Sequence, residues 1–148
     1  MKQKISAIQE IYREGVKALE DAGIPDAGLD AWYLLEHVTG IKRASYYAHP
    51  ERELGREEIK RYFSYIEKRG KRIPLQHLTG EQEFMGLSFA VNEHVLIPRQ
   101  DTESLVETAL ERMKPGMEVL DMCTGSGCIL LSLLRLCREE GVTGTGTD

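Results

Sequence analysis

The chain has 148 residues, of which 41% are hydrophobic and 29% are charged, and its formal net charge is −5. Its length fits a single domain, and this composition is typical of a globular protein and argues against wholesale disorder. No apolar run approaches the roughly 20 residues that a transmembrane helix needs, and the charged N-terminal segment has no signal-peptide core. The three cysteines form neither an even disulfide framework nor a CxxC motif, so we expect a protein of the reducing cytosol without a zinc ribbon.

The charge is divided unevenly along the chain. Residues 1–73 contain 14 Lys/Arg and 12 Asp/Glu, whereas the remaining residues contain 5 and 12. This difference favours two compositional units, and neither has the strong basic excess that is typical of nucleic-acid-binding domains. The densest basic run covers residues 68–72. We interpret it as a helix C-terminus, where cations complement the helix dipole, with a partner-binding patch as the alternative.

Apolar residues in the first part of the chain recur at spacings of three and four, which predicts helices. The first helix ends before Gly23, and the second is capped by Asp26 and ended by Gly40. A short helix over residues 43–48 and a longer one over residues 56–68 complete a small helical bundle. The predicted core consists of Ile5, Ile8, Tyr12, Val16, Leu19, Ala31, Leu34, Leu35, Val38, Ile59, Tyr62, Phe63 and Ile66.

The pattern changes in the middle of the chain. Alternation of large and small residues predicts a β-hairpin with strands over residues 79–84 and 88–91. Residues 95–97 are predicted to form a further short extended run. Helical periodicity returns over residues 105–113, with an N-cap at residue 101 or 102.

A strand, a glycine loop and a buried helix then follow one another. Residues 118–122 are a short, largely apolar run, residues 124–127 read Thr-Gly-Ser-Gly, and residues 128–134 are apolar nearly all round. A second strand is predicted over residues 142–148. This order is the beginning of a βαβ unit, so the fold class is α/β.

The segment from Asp121 to Gly127 suits the binding of a nucleoside. Glycines after a strand let the backbone turn tightly and let a ligand approach main-chain N–H groups. A P-loop is excluded because no GxxxxGKS/T run exists, and the dinucleotide fingerprint loses support because Leu130 stands where its third glycine belongs. Asp148 lies 21 residues after Gly127, near the roughly 20-residue offset at which a carboxylate binds ribose hydroxyls. On spacing alone, the alternative is that Gly125 and Gly127 only make a tight turn.

The segment Asp-Met-Cys-Thr-Gly-Ser-Gly resembles the first motif of class I S-adenosyl-methionine-dependent methyltransferases. Three further segments are very similar to the HemK/PrmC family: residues 30–38 (DAWYLLEHV), 74–87 (PLQHLTGEQEFMGL) and 95–103 (VLIPRQDTE). Members of that family methylate the glutamine side-chain amide of peptide chain release factors. The resemblance covers essentially the whole chain, and the segment from residue 74 to residue 103 discriminates far better than the glycine loop.

The resemblance implies a three-part organisation. Residues 1–73 would form a helical release-factor-recognition domain, and residues 74–100 a β-hairpin linker. Residues 101–148 would begin a Rossmann-like class I methyltransferase domain. The resemblance also implies S-adenosyl-L-methionine as cofactor, release factors as protein substrates, and a cytoplasmic protein that is monomeric at full length. No metal, membrane or direct nucleic-acid contact is expected.

The resemblance also assigns roles to residues. The loop would wrap the methionine part of the cofactor, Asp121 would orient the loop or a bound water, and Asp148 would hold the ribose. Arg99 or Glu103 would help to shape the pocket, with packing of the linker on the domain as the alternative. The implied cofactor-binding residues are Asp121, Cys123, Thr124, Gly125, Ser126, Gly127 and Asp148.

Some features depart from the family's pattern. Cys123 stands where glycine is usual and Gln100 where proline is usual, and cysteine adopts a positive φ less freely than glycine. The Asn-Pro-Pro-Tyr motif that grips the target amide is absent. We therefore expect an N-terminal fragment of a longer enzyme that is inactive alone, and we name no catalytic residue. We also expect weak or no cofactor binding and an exposed apolar strand edge. The alternatives are another amino-group methyltransferase, such as one acting on nucleic-acid bases, and a free-standing helical binding module over residues 1–73.

Overall fold

The computed structural model describes residues 7–148, so the predicted core residue Ile5 lies outside the described residues. The chain divides into two compact units, the first ending at Thr79 and the second comprising Gly80–Asp148. Within the described range, no helix is both long enough and apolar enough to cross a membrane.

The described part of the first unit is helical, as predicted. Asp26 occupies the N-cap position of the second helix, and Gly40 ends that helix in the left-handed conformation with φ 69°. The short third helix has the predicted bounds, and the fourth extends two residues beyond the predicted Lys68. The helices are α1 (Ile8–Asp21), α2 (Ala27–Thr39), α3 (Arg43–Ala48), α4 (Arg56–Gly70) and α5 (Leu75–Thr79).

One stripe from each of the three long helices forms the core of the first unit. Full burial of a leucine or isoleucine side chain is worth about 1.5–3 kcal/mol, so burial of these three stripes favours folding of the unit. Four of the predicted core residues (Tyr12, Val16, Ile59 and Phe63) are only partly buried and pack at the margin of the core. The buried residues of this core include Ile8, Ile11, Leu19, Ala31, Trp32, Leu34, Leu35, Val38, Tyr62 and Ile66.

Helices α1 and α4 approach each other closely at Gly15. The buried Tyr62 side chain lies against this glycine, and a Cβ atom at Gly15 would overlap the Tyr62 hydroxyl and lie 2.7 Å from its Cζ. Among the described residues, the hydroxyl has no hydrogen-bond partner. Burial raises the pKa of the Tyr62 phenol above its ordinary range. The glycine therefore makes room for an aromatic ring between two helices.

The basic run at the end of α4 is used inside the first unit. The Arg69 Nε donates a hydrogen bond to Asp30 Oδ2 at 2.6 Å, and the two side chains are 19% and 10% exposed. Arg72 adopts a positive φ of 69°, and its guanidinium donates a hydrogen bond to the Gly23 carbonyl at 3.2 Å. The prediction of a helix C-terminus is confirmed, and these contacts favour it over a partner-binding patch.

Residues 75–79, for which the sequence predicts linker and the start of a strand, instead form α5. The carbonyl of Pro74 accepts hydrogen bonds from the N–H groups of His77 and Leu78, and Leu75 and Leu78 pack against the core of the first unit. The compact division of the chain therefore falls after Thr79 and not after residue 73. The three-part functional division at residues 73 and 100 stays a prediction.

The second unit begins with the predicted hairpin. Strands β1 (Glu81–Phe84) and β2 (Leu87–Ala90) pair antiparallel, and the turn between them has positive φ at both central residues, 53° at Met85 and 72° at Gly86. Such two-residue turns match the twist of paired strands. Glu103 stabilises the turn, because its Oε1 accepts the Met85 N–H at 2.7 Å.

A 3₁₀ turn (Gln100–Thr102) leads into α6 (Glu103–Leu110), which starts and ends earlier than the predicted helix over residues 105–113. Thr102 occupies the N-cap position, as one of the two predicted alternatives. Residues 95–97 belong to no helix or strand in the described range. The core of this unit contains Phe84, Phe89, Val106, Cys128 and Leu133.

The rest of the second unit is the predicted strand–loop–helix–strand segment. Strands β3 (Glu118–Met122) and β4 (Thr143–Thr147) are parallel and are connected through α7 (Cys128–Leu136). Gly144 on β4 lets α7 pack closely, since a Cβ atom there would lie 2.5 Å from a Leu130 methyl group. Leu120 and Met122 are 63% and 71% exposed on one face of β3. This exposure concerns a face of the sheet, and the exposed apolar edge stays a prediction.

Candidate functional site

The loop between β3 and α7 contains three residues with left-handed backbone. Their φ angles are 61° at Cys123, 54° at Gly125 and 74° at Gly127. A Cβ atom at Gly125 would meet no other atom within 4 Å, so the main chain there is open to a ligand. The backbone thus explains both glycines and places a cysteine in a conformation that glycine adopts more readily.

Asp121, at the carboxyl end of β3, orients this loop. Its Oδ2 accepts a hydrogen bond from the Thr124 hydroxyl at 2.8 Å. The Thr124 N–H donates in turn to the Thr147 carbonyl of β4 at 3.1 Å. Orientation of the loop is one of the two roles that the family resemblance implies for Asp121.

Asp148 lies beside the same loop. Its Oδ1 accepts a hydrogen bond from the Gly125 N–H at 2.9 Å. The carboxyl ends of neighbouring parallel strands meet at one edge of a sheet, which is why residues far apart in sequence meet here. The candidate residues brought together at this edge are Asp121, Cys123, Thr124, Gly125, Ser126, Gly127 and Asp148.

Two residues that contact the loop were not predicted from the sequence. Thr147 contributes only its backbone carbonyl, which no sequence pattern identifies. Gly146 lies under Thr124, and a Cβ atom there would be 3.0 Å from the Thr124 hydroxyl. The available signal for Gly146 was the Thr-Gly-Thr-Gly-Thr alternation, because glycine inside a strand often marks a close approach.

Arg99 and Glu103 differ in their surroundings. Glu103 accepts the Met85 N–H, whereas Arg99 and the neighbouring Gln100 are exposed. The hydrogen bond gives Glu103 a structural role at the hairpin turn, which favours the packing interpretation for this residue.

The three cysteines lie in or near α7 and have free thiols. Cys123 is exposed, Cys128 is buried and Cys137 is partly buried. Among the described residues, no group of three or more His, Cys, Asp or Glu side chains is arranged to hold a metal ion.

Replacing Cys123 with glycine should stabilise the second unit by about 0.5–1 kcal/mol. The left-handed backbone costs a side-chain-bearing residue about 1–2 kcal/mol, and the added freedom of glycine in the unfolded chain offsets part of that gain. Urea unfolding followed by circular dichroism measures the change. Cys137→Gly is the matched control, because φ at Cys137 is −61° and glycine there should destabilise. Equal shifts in the same direction for both variants would contradict the prediction.

The fold is thus a helical unit followed by a mixed helix and strand unit, in which a glycine loop lies at the carboxyl ends of two parallel strands. Residues 10–80 match the family model described as the PrmC N-terminal domain. This match covers just under half of the chain.

The chain is also similar to proteins named release factor glutamine methyltransferase. The Geobacter sulfurreducens protein is 40% identical over 126 residues, which cover 85% of this chain and 44% of that protein. The Moorella thermoacetica protein is 41% identical over 140 residues, 93% of this chain and 50% of the relative. The Shewanella oneidensis protein is 42% identical over 113 residues, which cover 76% of this chain and 40% of that protein. The chain thus spans about half the length of the curated relatives it matches.

Proposed function

We propose that this chain supplies the N-terminal part of an enzyme that methylates the glutamine side-chain amide of peptide chain release factors. The observation that carries the proposal is the glycine loop at the ends of two parallel strands, in a chain similar to release factor glutamine methyltransferases. The relatives' name implies a methyl donor. The methyl donor is S-adenosyl-L-methionine, and the second unit begins a Rossmann-like class I methyltransferase domain.

The residues of the loop fit this cofactor. The main chain at Gly125 is open, so the methionine part can lie against the segment from Cys123 to Gly127. Asp148 has a carboxylate next to the loop, and a carboxylate has about four acceptor positions, enough for one backbone N–H and two ribose hydroxyls. When bound, the cofactor supplies a methyl group on a positively charged sulfur. The contribution of these residues is to position that group, which is a large part of catalysis in displacement reactions.

The helical unit would recognise the release factor. It presents exposed aromatic side chains, with Tyr33 47% and Tyr47 72% accessible, and exposed tyrosines are enriched in protein interfaces. In the proposed arrangement, residues 1–73 form the recognition domain, residues 74–100 the linker and residues 101–148 the beginning of the catalytic domain. The whole enzyme would act in the cytoplasm as a monomer.

The test is methyl transfer by the whole gene product. With S-adenosyl-L-methionine carrying a labelled methyl group, we expect label on a purified release factor, and mass spectrometry should locate it on a glutamine. A release factor with that glutamine replaced by asparagine should remain unlabelled. Transfer to DNA with none to the release factor would support the nucleic-acid methyltransferase alternative and overturn the proposal.

Two glycine-to-alanine substitutions distinguish a loss of activity caused by the loop's role from a loss of stability caused by backbone strain. Gly125 and Gly86 both have positive φ, 54° and 72°, and a Cβ atom at either would meet nothing within 4 Å. Alanine at either position should therefore destabilise by about 1 kcal/mol. Only Gly125→Ala should reduce methyl transfer, by about tenfold or more, because only Gly125 lies in the loop. Equal activity of the two variants would argue against the loop as the cofactor site.

A further inference from the structure

Three consecutive residues at the end of β4 contact the glycine loop, and we call residues 146–148 the β4 latch. The carbonyl of Thr147 accepts the Thr124 N–H at 3.1 Å. The carboxylate of Asp148 accepts the next N–H along the loop, that of Gly125, at 2.9 Å. Two successive loop amides are therefore bonded to two successive residues of the latch.

The third latch residue, Gly146, lets the loop come this close. A Cβ atom at Gly146 would lie 3.0 Å from the Thr124 hydroxyl oxygen and 3.2 Å from its Cβ and methyl carbons. Thr124 meanwhile donates its hydroxyl hydrogen to Asp121. Thr124 is thus bonded to β3 through its side chain and to β4 through its backbone. These two hydrogen bonds together position the start of the loop.

The loop needs such support because its backbone is unfavourable. Cys123 has φ 61°, in the left-handed region that is unfavourable for a side-chain-bearing residue. Gly125, two residues later, would have many accessible conformations in an unsupported loop. Hydrogen bonds to a fixed strand select one of these conformations before any ligand arrives.

We propose that Asp148 is a positioning residue for the glycine loop in addition to a ribose ligand, so that one carboxylate sets the loop conformation and binds the nucleoside. The ribose part rests on the proposed function, whereas the positioning part rests on the hydrogen bond to Gly125. Because Asp148 has both roles, binding of the ribose is coupled to the shape of the glycine loop, against which the methionine part of the cofactor lies. A change at Asp148 then affects both ends of the bound molecule.

The test measures amide hydrogen exchange of the ¹⁵N-labelled chain by NMR without any ligand. Asp148→Ala removes the acceptor, and we expect the Gly125 amide to exchange about tenfold faster, since a hydrogen bond to a charged group is lost. Asp148→Asn keeps an acceptor oxygen at the same position and should retain most of the protection. Glu111→Ala removes an exposed carboxylate elsewhere in the second unit and serves as the matched control.

The expected effect is local. The Gly127 amide, which donates to the Thr124 carbonyl at 2.9 Å, and the amides paired between β3 and β4 should keep their protection in Asp148→Ala. Unchanged exchange at Gly125 in Asp148→Ala would overturn the proposal, and so would a uniform loss of protection across both strands. Absence of methyl transfer by the whole gene product, with the Gly125 effect present, would remove the proposed function and leave the loop-positioning role of Asp148 standing.

Discussion

Replacing Gly15 with alanine should destabilise the helical unit by about 3 kcal/mol, the upper part of the range for overpacked cores. The new Cβ atom would overlap the Tyr62 hydroxyl and lie 2.7 Å from Cζ and 2.9 Å from Cε1. Tyr62 is fully buried, so moving its ring aside requires its neighbours in the core to shift as well. Fluorescence of Trp32, the single tryptophan and a buried residue of this unit, reports the unfolding in urea.

Gly28→Ala is the matched control for this substitution. Gly28 is also helical, and a Cβ atom there would be 3.7 Å from the Tyr12 hydroxyl, an ordinary contact distance. Alanine at this position should be neutral or stabilise by up to about 1 kcal/mol. In a Tyr62→Leu background, which lacks the clashing atoms, Gly15→Ala should cost less than about 1 kcal/mol. If its cost is the same with tyrosine and with leucine at position 62, the close approach is not the cause.

Arg69→Met should destabilise the same unit by about 3 kcal/mol. Methionine preserves much of the apolar stem, but it leaves the Asp30 carboxylate, only 10% exposed, without its ion-pair partner. Removing one member of a buried ion pair typically costs about 3–5 kcal/mol, because the remaining charge is uncompensated. The measurement is again urea unfolding followed by Trp32 fluorescence.

Lys71→Met tests whether burial is the reason. Lys71 belongs to the same basic run and pairs with Glu67, but both side chains are more than two-thirds exposed, so its loss should cost far less than the loss of Arg69. Combining Arg69→Met with Asp30→Asn should recover part of the stability, since the buried charge is then gone. Similar losses for Arg69→Met and Lys71→Met would contradict the role assigned to the buried pair.

Elements with strong periodicity and explicit end signals were predictable. The second helix begins directly after Asp26, whose side chain makes no capping hydrogen bond among the described residues, and it ends in the left-handed conformation at Gly40. The glycine loop lies at the carboxyl ends of the parallel strands β3 and β4, as expected. The predictions of secondary structure were wrong mainly in short segments. Residues 75–79 have no helical repeat of their own, and they form α5 because Leu75 and Leu78 pack against a core that the rest of the unit provides.

The sequence predicted which residues group together in the candidate site, but it did not predict the hydrogen bonds between them. The spacing of Asp121, the two loop glycines and Asp148 was sufficient to group them, because parallel strands present their carboxyl ends at one edge. The sequence indicated only that a cysteine stands at a position where glycine is usual. The structure shows that Cys123 adopts the left-handed conformation there.

The amino-acid sequence by itself determined the helical and α/β parts, the glycine loop between its strands and the similarity to release factor glutamine methyltransferases. These properties depend on local spacing, which is a property of residues near one another in the chain. The tertiary structure decided the packing of Tyr62 on Gly15, the burial of the Asp30–Arg69 pair and the bond from Gly125 to Asp148. Each of these contacts joins residues that are far apart in the chain, and its energy depends on distances and burial that only the folded chain establishes.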